Sequence, residues 1–208
     1  MIDLVLPEAR LRFASAIMEM HHDRKQVFVD RLKWDLPVPG SWLEVDDFDN
    51  GLAVYLLARC PEGHHLGSVR VLPTVRPHML SVLFPELCAG EVPTGDDVWE
   101  ISRLVTSPAG EGGGSVVKVH RLLALALAEF AQLNGIRRYT LVAEVHRVPA
   151  LLSIGWPVKP LGLPVPVGEE QLQALQIELG PEVLETMRRR LRIFDSVLRV
   201  PADQREAA

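Results

Sequence analysis

The feature that most limits how this chain can fold is a strongly apolar helix set between strands. After the segment Ala109-Gly-Glu-Gly-Gly-Gly114, Ser115 is a candidate N-cap, the stretch through Leu133 is rich in Leu and Ala, and Asn134-Gly135 is a stop signal. Its longest apolar run, Leu122 to Ala128, is far below the roughly 20 residues that span a bilayer, so the helix belongs in a protein core. A strand is predicted before it, Val98–Val105, and another after it. The second, Arg138–Val145, puts Tyr139, Leu141, Ala143 and Val145 on one face and Thr140, Val142 and Glu144 on the other. Further strands are expected at Leu52–Arg59, Leu66–Leu72, Val158–Leu161 and Gln173–Leu179. Helices are expected at residues 8–20, His22–Leu32, Pro149–Ser153 and from Pro181 to about Leu198. That order predicts an α+β chain: a mixed, mostly antiparallel sheet in a three-layer α/β/α sandwich.

The 208 residues suit one domain, taken as residues 1–200, with residues 201–208 as a disordered tail. Cys60 and Cys88 are too few for a disulfide framework, and no metal-ligand spacing occurs. The opening residues lack a targeting pattern, so a cytoplasmic protein is expected, and a monomer. A formal charge of −5 argues against nucleic acid as a partner. His21, His22, His64 and His65 are read as exposed, and His78, His120 and His146 as isolated; none is expected to serve in catalysis.

Charges interrupt segments that otherwise read as core. Arg24 lies near Phe28 and Trp34, Asp46 and Asp49 flank Phe48, Arg70 sits inside an apolar strand, and Glu100 and Arg103 sit inside another. Buried charges must be paired. Three arginines against three carboxylates give a set able to neutralise itself and to leave a polar pocket in an apolar domain. Glu100 and Arg103 are three apart on one predicted strand, so strict alternation sends them to opposite faces. A shared pocket therefore requires a β-bulge in this central strand.

These residues fall in blocks that resemble the acyl-homoserine-lactone synthases, the autoinducer synthase family, from about Arg24 to Leu179. The blocks are Arg24-x3-Phe28-x5-Trp34, Asp46-x-Phe48-Asp49, Gly67-Ser-Val-Arg70-Val-Leu-Pro73-Thr74-x2-Pro77-x-Met79-Leu80, Trp99-Glu100-x-Ser102-Arg103, and Gly155-Trp156-Pro157 with Leu161-Gly162. The resemblance implies a fold like that of the GCN5-related N-acyltransferases. It also implies acyl transfer from a carrier-protein or coenzyme A thioester to the amino group of S-adenosylmethionine, then lactone closure with release of methylthioadenosine. By the same resemblance Glu100 is the general base and Arg103 a catalytic partner. Arg24, Phe28, Trp34, Asp46, Asp49, Arg70 and Arg103 would bind S-adenosylmethionine, which is substrate; no tightly bound cofactor is implied. Met79, Phe84, Ser102, Leu104, Leu123, Leu127, Thr140 and Val142 would line the acyl pocket, with Thr140 suited to a C3-oxygenated chain.

The chain departs from the family in two places. Glu111 in the glycine-rich segment would repel phosphate, which favours a carrier protein as donor. Lys118, Arg121, Arg137, Arg138, Arg147 and Lys159 are the basic residues able to meet an acidic carrier. In addition, Ala143-Glu-Val-His-Arg-Val-Pro149 stands where many members read Ser-x-x-Met-Glu-Arg. Two other readings remain: an acyl-coenzyme A N-acyltransferase of the same fold acting on another amine, and a non-catalytic protein binding acyl thioesters or S-adenosylmethionine.

Overall fold

The computed structural model describes residues 1–110 and 113–200, and the side chains of all of these except 110 and 113–115. Residues 111 and 112 of the glycine-rich segment, the side chain of Ser115 and the predicted tail 201–208 thus lie outside what is described. In chain order the strands are β1 (Ile2–Val5), β2 (Val54–Arg59), β3 (His65–Pro73), β4 (Val98–Thr106), β5 (Arg138–Glu144), β6 (Val158–Pro160), β7 (Val165–Val167), β8 (Glu170–Glu178) and β9 (Leu198–Arg199). The α-helices are α1 (Ala14–Arg24), α2 (Met79–Leu83), α3 (Gly113–Leu133), α4 (Val148–Ser153) and α5 (Pro181–Leu191).

The described residues form two compact units. The first comprises Met1–Val71, Arg103–Ala126 and the segment from Val197; the second comprises Leu72–Ser102 and Leu127–Ser196.

In the first unit β2 runs antiparallel to β1 and to β3, and β9 lies parallel to β1. The early part of α3 closes on β3 at Gly67. A Cβ there would come 2.6 Å from the Val119 side chain and 2.9 Å from the Val105 carbonyl, so only glycine admits the helix. The two helices expected over residues 8–32 are one helical stretch of three windings: a 3₁₀ segment at Pro7–Phe13, then α1, then a π-helical segment at Lys25–Arg31. π-Winding is rare and concentrates at functional sites; here it begins one residue after Arg24.

In the second unit β5 is parallel to β4 and antiparallel to β8, which also takes β6 and β7 antiparallel. Both faces of this sheet are covered. Tyr139 turns to the α3 side, where its hydroxyl donates to the Leu127 carbonyl at 2.9 Å, and Trp99 meets Phe130 edge-on on the same side. The residues next along the strands, Thr140 and Glu100, face the other way by alternation. There α2 supplies Leu80 to a cluster with Leu87 and Ala174, against which Phe84, Cys88, Val142 and Leu161 pack. The result is the predicted mixed, mostly antiparallel sheet between helical layers.

The last helix is shorter than its pattern suggested. Arg192 adopts the left-handed conformation at φ 57° and ends α5 at Leu191, and β9 follows where helix was expected. The C-terminal block also has a structural basis. Gly155 sits at φ 97°, Trp156 donates to the Met187 sulfur at 3.0 Å, and a Cβ on Gly162 would come 2.3 Å from the Leu87 carbonyl.

Candidate active site

Strand β4 does not keep strict alternation along its length. Val98 and Glu100 are buried with Trp99 half-buried between them; past Glu100 the buried positions become Ile101, Arg103 and Val105. Alternation has slipped by one residue. Arg103 itself stands at φ 53°, a left-handed conformation that a non-glycine residue adopts only when its surroundings enforce it. The slip removes the parity that would hold Glu100 and Arg103 on opposite faces. The parallel ladder with β5 runs from Val98 opposite Arg138 to Glu100 opposite Thr140.

In the first unit the three arginines meet three carboxylates, and the third is Glu44. Arg24 is wholly buried. Its Nε donates to Glu44 Oε2 at 2.5 Å, and Nη1 and Nη2 clasp the two oxygens of Asp49 at 2.8 and 2.9 Å. Arg70 donates to Asp46 at 2.5 and 3.1 Å and to Asp49 at 2.9 Å. Arg103 donates from Nε and Nη2 to Glu44 Oε1 at 3.2 and 3.1 Å, and Nη2 lies 2.7 Å from Asp46 Oδ2. The Tyr55 hydroxyl donates to Asp49 at 2.9 Å. Glu44 is therefore the hinge between Arg24 and Arg103. His21 fixes it: the Glu44 N–H donates to the His21 carbonyl at 3.1 Å, and His21 Nδ1 lies 2.7 Å from the Glu44 carbonyl.

Burial and pairing act differently on the members of the lattice. Burial pushes the Asp49 carboxyl up, but hydrogen bonds and charge from Arg24, with the charge of Arg70, outweigh it and hold Asp49 well below the usual carboxylate range. Burial weakens the charge of Arg24 and Arg70, and their carboxylates more than restore it. For Arg103 burial wins: its pKa is lowered despite Glu44 and Asp46, with Arg24 and Arg70 adding repulsion.

Phe28 and Trp34 stack at 4.9 Å between centroids and 5° between planes, with the Arg103 guanidinium carbon 5.7 Å from the Phe28 centroid. Phe28 is buried and Trp34 half-buried.

In the second unit Glu100 is 1% exposed. Its Oε1 accepts the Met79 N–H at 3.0 Å and its Oε2 the Leu80 N–H at 2.6 Å. The expectation that Glu100 completes the arginine balance is thus corrected: Glu44 does so, and Glu100 is seated on the first turn of α2. Thr140 is wholly buried and its hydroxyl has no hydrogen-bond partner. Phe84 and Val142 pack in the Leu80 cluster, and Met79 and Ser102 are half-buried. Leu127, expected beside Thr140, lies instead on the Tyr139 side of β5. Leu104, 41% exposed, and Leu123, fully buried, belong to the first unit.

The histidine reading needs correction as well. His21 and His65, expected to be exposed, are buried, with His65 Nδ1 2.7 Å from Asp23 Oδ2; His78, expected only to be isolated, is buried too. Among the basic residues proposed to meet a carrier, Arg138, Arg147 and Lys159 are paired with Asp97, Glu144 and Glu178. No helix among the described residues is long and apolar enough to cross a membrane.

A mixed, mostly antiparallel sheet covered by helices on both faces is the arrangement of the GCN5-like acyltransferase fold. A putative N-acetyltransferase from Lactobacillus plantarum shares it at a TM-score of 0.57, with 15% identity over 86% of this chain and 99% of that one. The chain belongs to the autoinducer synthase family, whose model matches residues 8–187. It is 33% identical to the acyl-homoserine-lactone synthase of Pseudomonas aeruginosa over 165 residues, 78% of this chain and 82% of that one. The CoA-dependent acyl-homoserine lactone synthase BjaI, solved with SAM and isopentyl-CoA, superposes at a TM-score of 0.88 with 27% identity, covering 97% of this chain and 93% of that one. A second CoA-dependent acyl-homoserine lactone synthase, MesI, superposes at 0.84 with 30% identity, covering 95% and 98%. This chain is accordingly an acyltransferase that makes acyl-homoserine lactones.

Proposed function

We propose that the protein works in the cytoplasm, transferring an acyl group from acyl-coenzyme A to the amino group of S-adenosylmethionine and closing the lactone with loss of methylthioadenosine. The observation that supports the substrate assignment is the buried lattice itself: the Arg103 guanidinium donates to Glu44, lies 2.7 Å from Asp46 and stands beside the stacked Phe28 and Trp34 rings, a fork suited to gripping the methionine carboxylate. Arg24 and Arg70 hold Asp46, Asp49 and Glu44 in place around it. Phe28 and Trp34 offer ring surface to the adenine or the sulfonium, a contact worth about 0.5–2 kcal/mol. Glu100 accepts the proton that the substrate ammonium must lose before its nitrogen can attack the thioester. Thr140, Val142, Phe84 and Met79 meet the acyl chain. The coenzyme A donor is supported by the similarity to two CoA-dependent synthases and by the ion pairing of Arg138, Arg147 and Lys159. A monomer suffices for these roles.

The test is incubation of purified protein with S-adenosylmethionine and a panel of acyl-coenzyme A and acyl-carrier thioesters, with methylthioadenosine read by mass spectrometry. Release with acyl-coenzyme A is expected. No release with any donor would overturn the reaction, and release with carrier thioesters alone would overturn the donor.

A further inference from the structure

Thr140 does not stand alone on its face of the sheet. The β4–β5 ladder ends at Glu100 opposite Thr140, and the β5–β8 ladder sets Gln176 directly opposite Thr140. Side chains opposite one another on antiparallel strands share a face, with Cβ atoms about 4.5–5.5 Å apart. Ala174, two residues before Gln176, packs in the Leu80 cluster with Val142, so this is the face that α2 covers. Glu100, Thr140 and Gln176 therefore form one polar row across three neighbouring strands, beside the apolar row of Val142 and Ala174.

The row has a fixed hydrogen-bonding sense. Gln176 Nε2 donates to Glu178 Oε1 at 2.8 Å, and Lys159 Nζ lies 3.3 Å from the same oxygen. An ionised carboxylate only accepts, so the amide keeps its NH₂ toward Glu178 and turns its carbonyl oxygen away from it. Thr140 is wholly buried with its hydroxyl unpartnered, so a ligand that satisfies that hydroxyl removes a standing penalty. The pair offers a ligand an acceptor at Gln176 and a hydroxyl at Thr140 that is free to donate.

The geometry points to a selective acyl site: Thr140 and Gln176 together favour a thioester with a hydroxyl at C3 over one with a ketone there. This rests on the reading of Glu100 as the proton acceptor and of Thr140 as a wall of the acyl pocket. The attacked carbonyl carbon meets the nitrogen that Glu100 deprotonates. C3 is two bonds farther along the chain, within reach of the neighbouring strand about 4.8 Å away, where Thr140 stands. A C3 hydroxyl accepts from Thr140 and donates to the Gln176 carbonyl oxygen. A C3 ketone accepts from Thr140 but sets its oxygen against that of Gln176, acceptor facing acceptor. Glu178 is a positioning residue, because it keeps the amide from turning round to donate to the ketone.

The test uses the full chain with matched coenzyme A thioesters: unsubstituted, 3-oxo and each enantiomer of 3-hydroxy, at every even length from butanoyl to tetradecanoyl. Methylthioadenosine release gives kcat/KM for each donor. The readout is the ratio of the better 3-hydroxy donor to the 3-oxo donor of equal length. A ratio of about tenfold is expected in wild type, the worth of one satisfied hydrogen bond against one acceptor left opposed. Gln176→Leu should bring it to about twofold or less, and Glu178→Gln, which frees the amide to turn, should lower it at least about threefold by improving the 3-oxo donor. A Gln176 that served packing alone would slow both donors alike and leave the ratio in place. A wild-type ratio of one or below, or a wild-type ratio retained in Gln176→Leu or in Glu178→Gln, would overturn the proposal. If Gln176→Leu does not fold, Glu178→Gln decides alone, since that side chain is 38% exposed. Methylthioadenosine from no donor, coenzyme A or carrier, would strike the reaction itself, and turnover confined to carrier thioesters moves the same ratio onto those donors.

Discussion

Glu44→Gln removes one negative charge from the lattice and leaves its shape. The Glu44 side chain is fully buried and serves Arg24 through Oε2 and Arg103 through Oε1. Glutamine keeps one acceptor and turns an amide NH₂ toward the other guanidinium, so two carboxylates then face three buried arginines. Breaking a buried pair from one side costs about 3–5 kcal/mol because the remaining charge is stranded. In a chain of this length each kcal/mol lowers the melting temperature by about 2–4 °C, so a fall of about 6–20 °C is expected. Differential scanning fluorimetry at neutral pH reads it directly. The charge argument also makes a stricter demand: Arg103→Gln introduced into Glu44→Gln restores two against two. The double variant should recover about 0.5–3 kcal/mol relative to the sum of the single effects. A Glu44→Gln melt within 2 °C of wild type, or strictly additive effects in the double variant, would refute the account of Glu44 as the balancing charge.

Two further outcomes follow from buried polar groups. His21 is held below its ordinary value of 6.5, by burial first and by the charge of Arg24 second, and Asp49 is held below 3.8. Each binds more protons unfolded than folded, so the stability each contributes is present above its unfolded pKa and is lost as the pH falls toward its folded one. The melting temperature should decline below about pH 6.5 and decline again below about pH 4; a flat profile between pH 7 and 5 would contradict the His21 step. Thr140→Val removes a buried hydroxyl that has no partner, a group costing about 1–3 kcal/mol when unsatisfied, so it should leave the melt unchanged or raise it. The same change should lower the preference for C3-oxygenated over unsubstituted acyl donors, and an unchanged product spectrum by mass spectrometry would make Thr140 core alone.

How much of this was legible in the sequence depends on the range of each interaction. Glu100 and Arg103, three apart on one strand, would need a slip to share a pocket, and the possibility was legible because the conflict is local to β4, where the buried positions do change parity after Glu100. The apolar helix and its flanking strands were legible from period alone. The four residues of β1 were too few to carry a period, and the end of α5 depends on Arg192 turning left-handed without a glycine. Arg24, Asp46, Asp49 and Arg70 announced themselves as charges in apolar surroundings. Glu44 did not, since it lies in an irregular segment with partners 20 and 59 residues away. The signal available was its spacing: Glu44 and Asp46 are two apart in Leu-Glu-Val-Asp, which would put both on one face wherever the run is extended. Counting Glu100 as the third carboxylate satisfied the charge balance and so closed the search one residue too early. A neutral sum is a weak constraint, because any acid on the chain can complete it. What identifies the partner is the demand of each guanidinium for acceptors in its own plane, and Arg24, with Nε and both Nη atoms engaged, needed one carboxylate more than the acidic pair supplies.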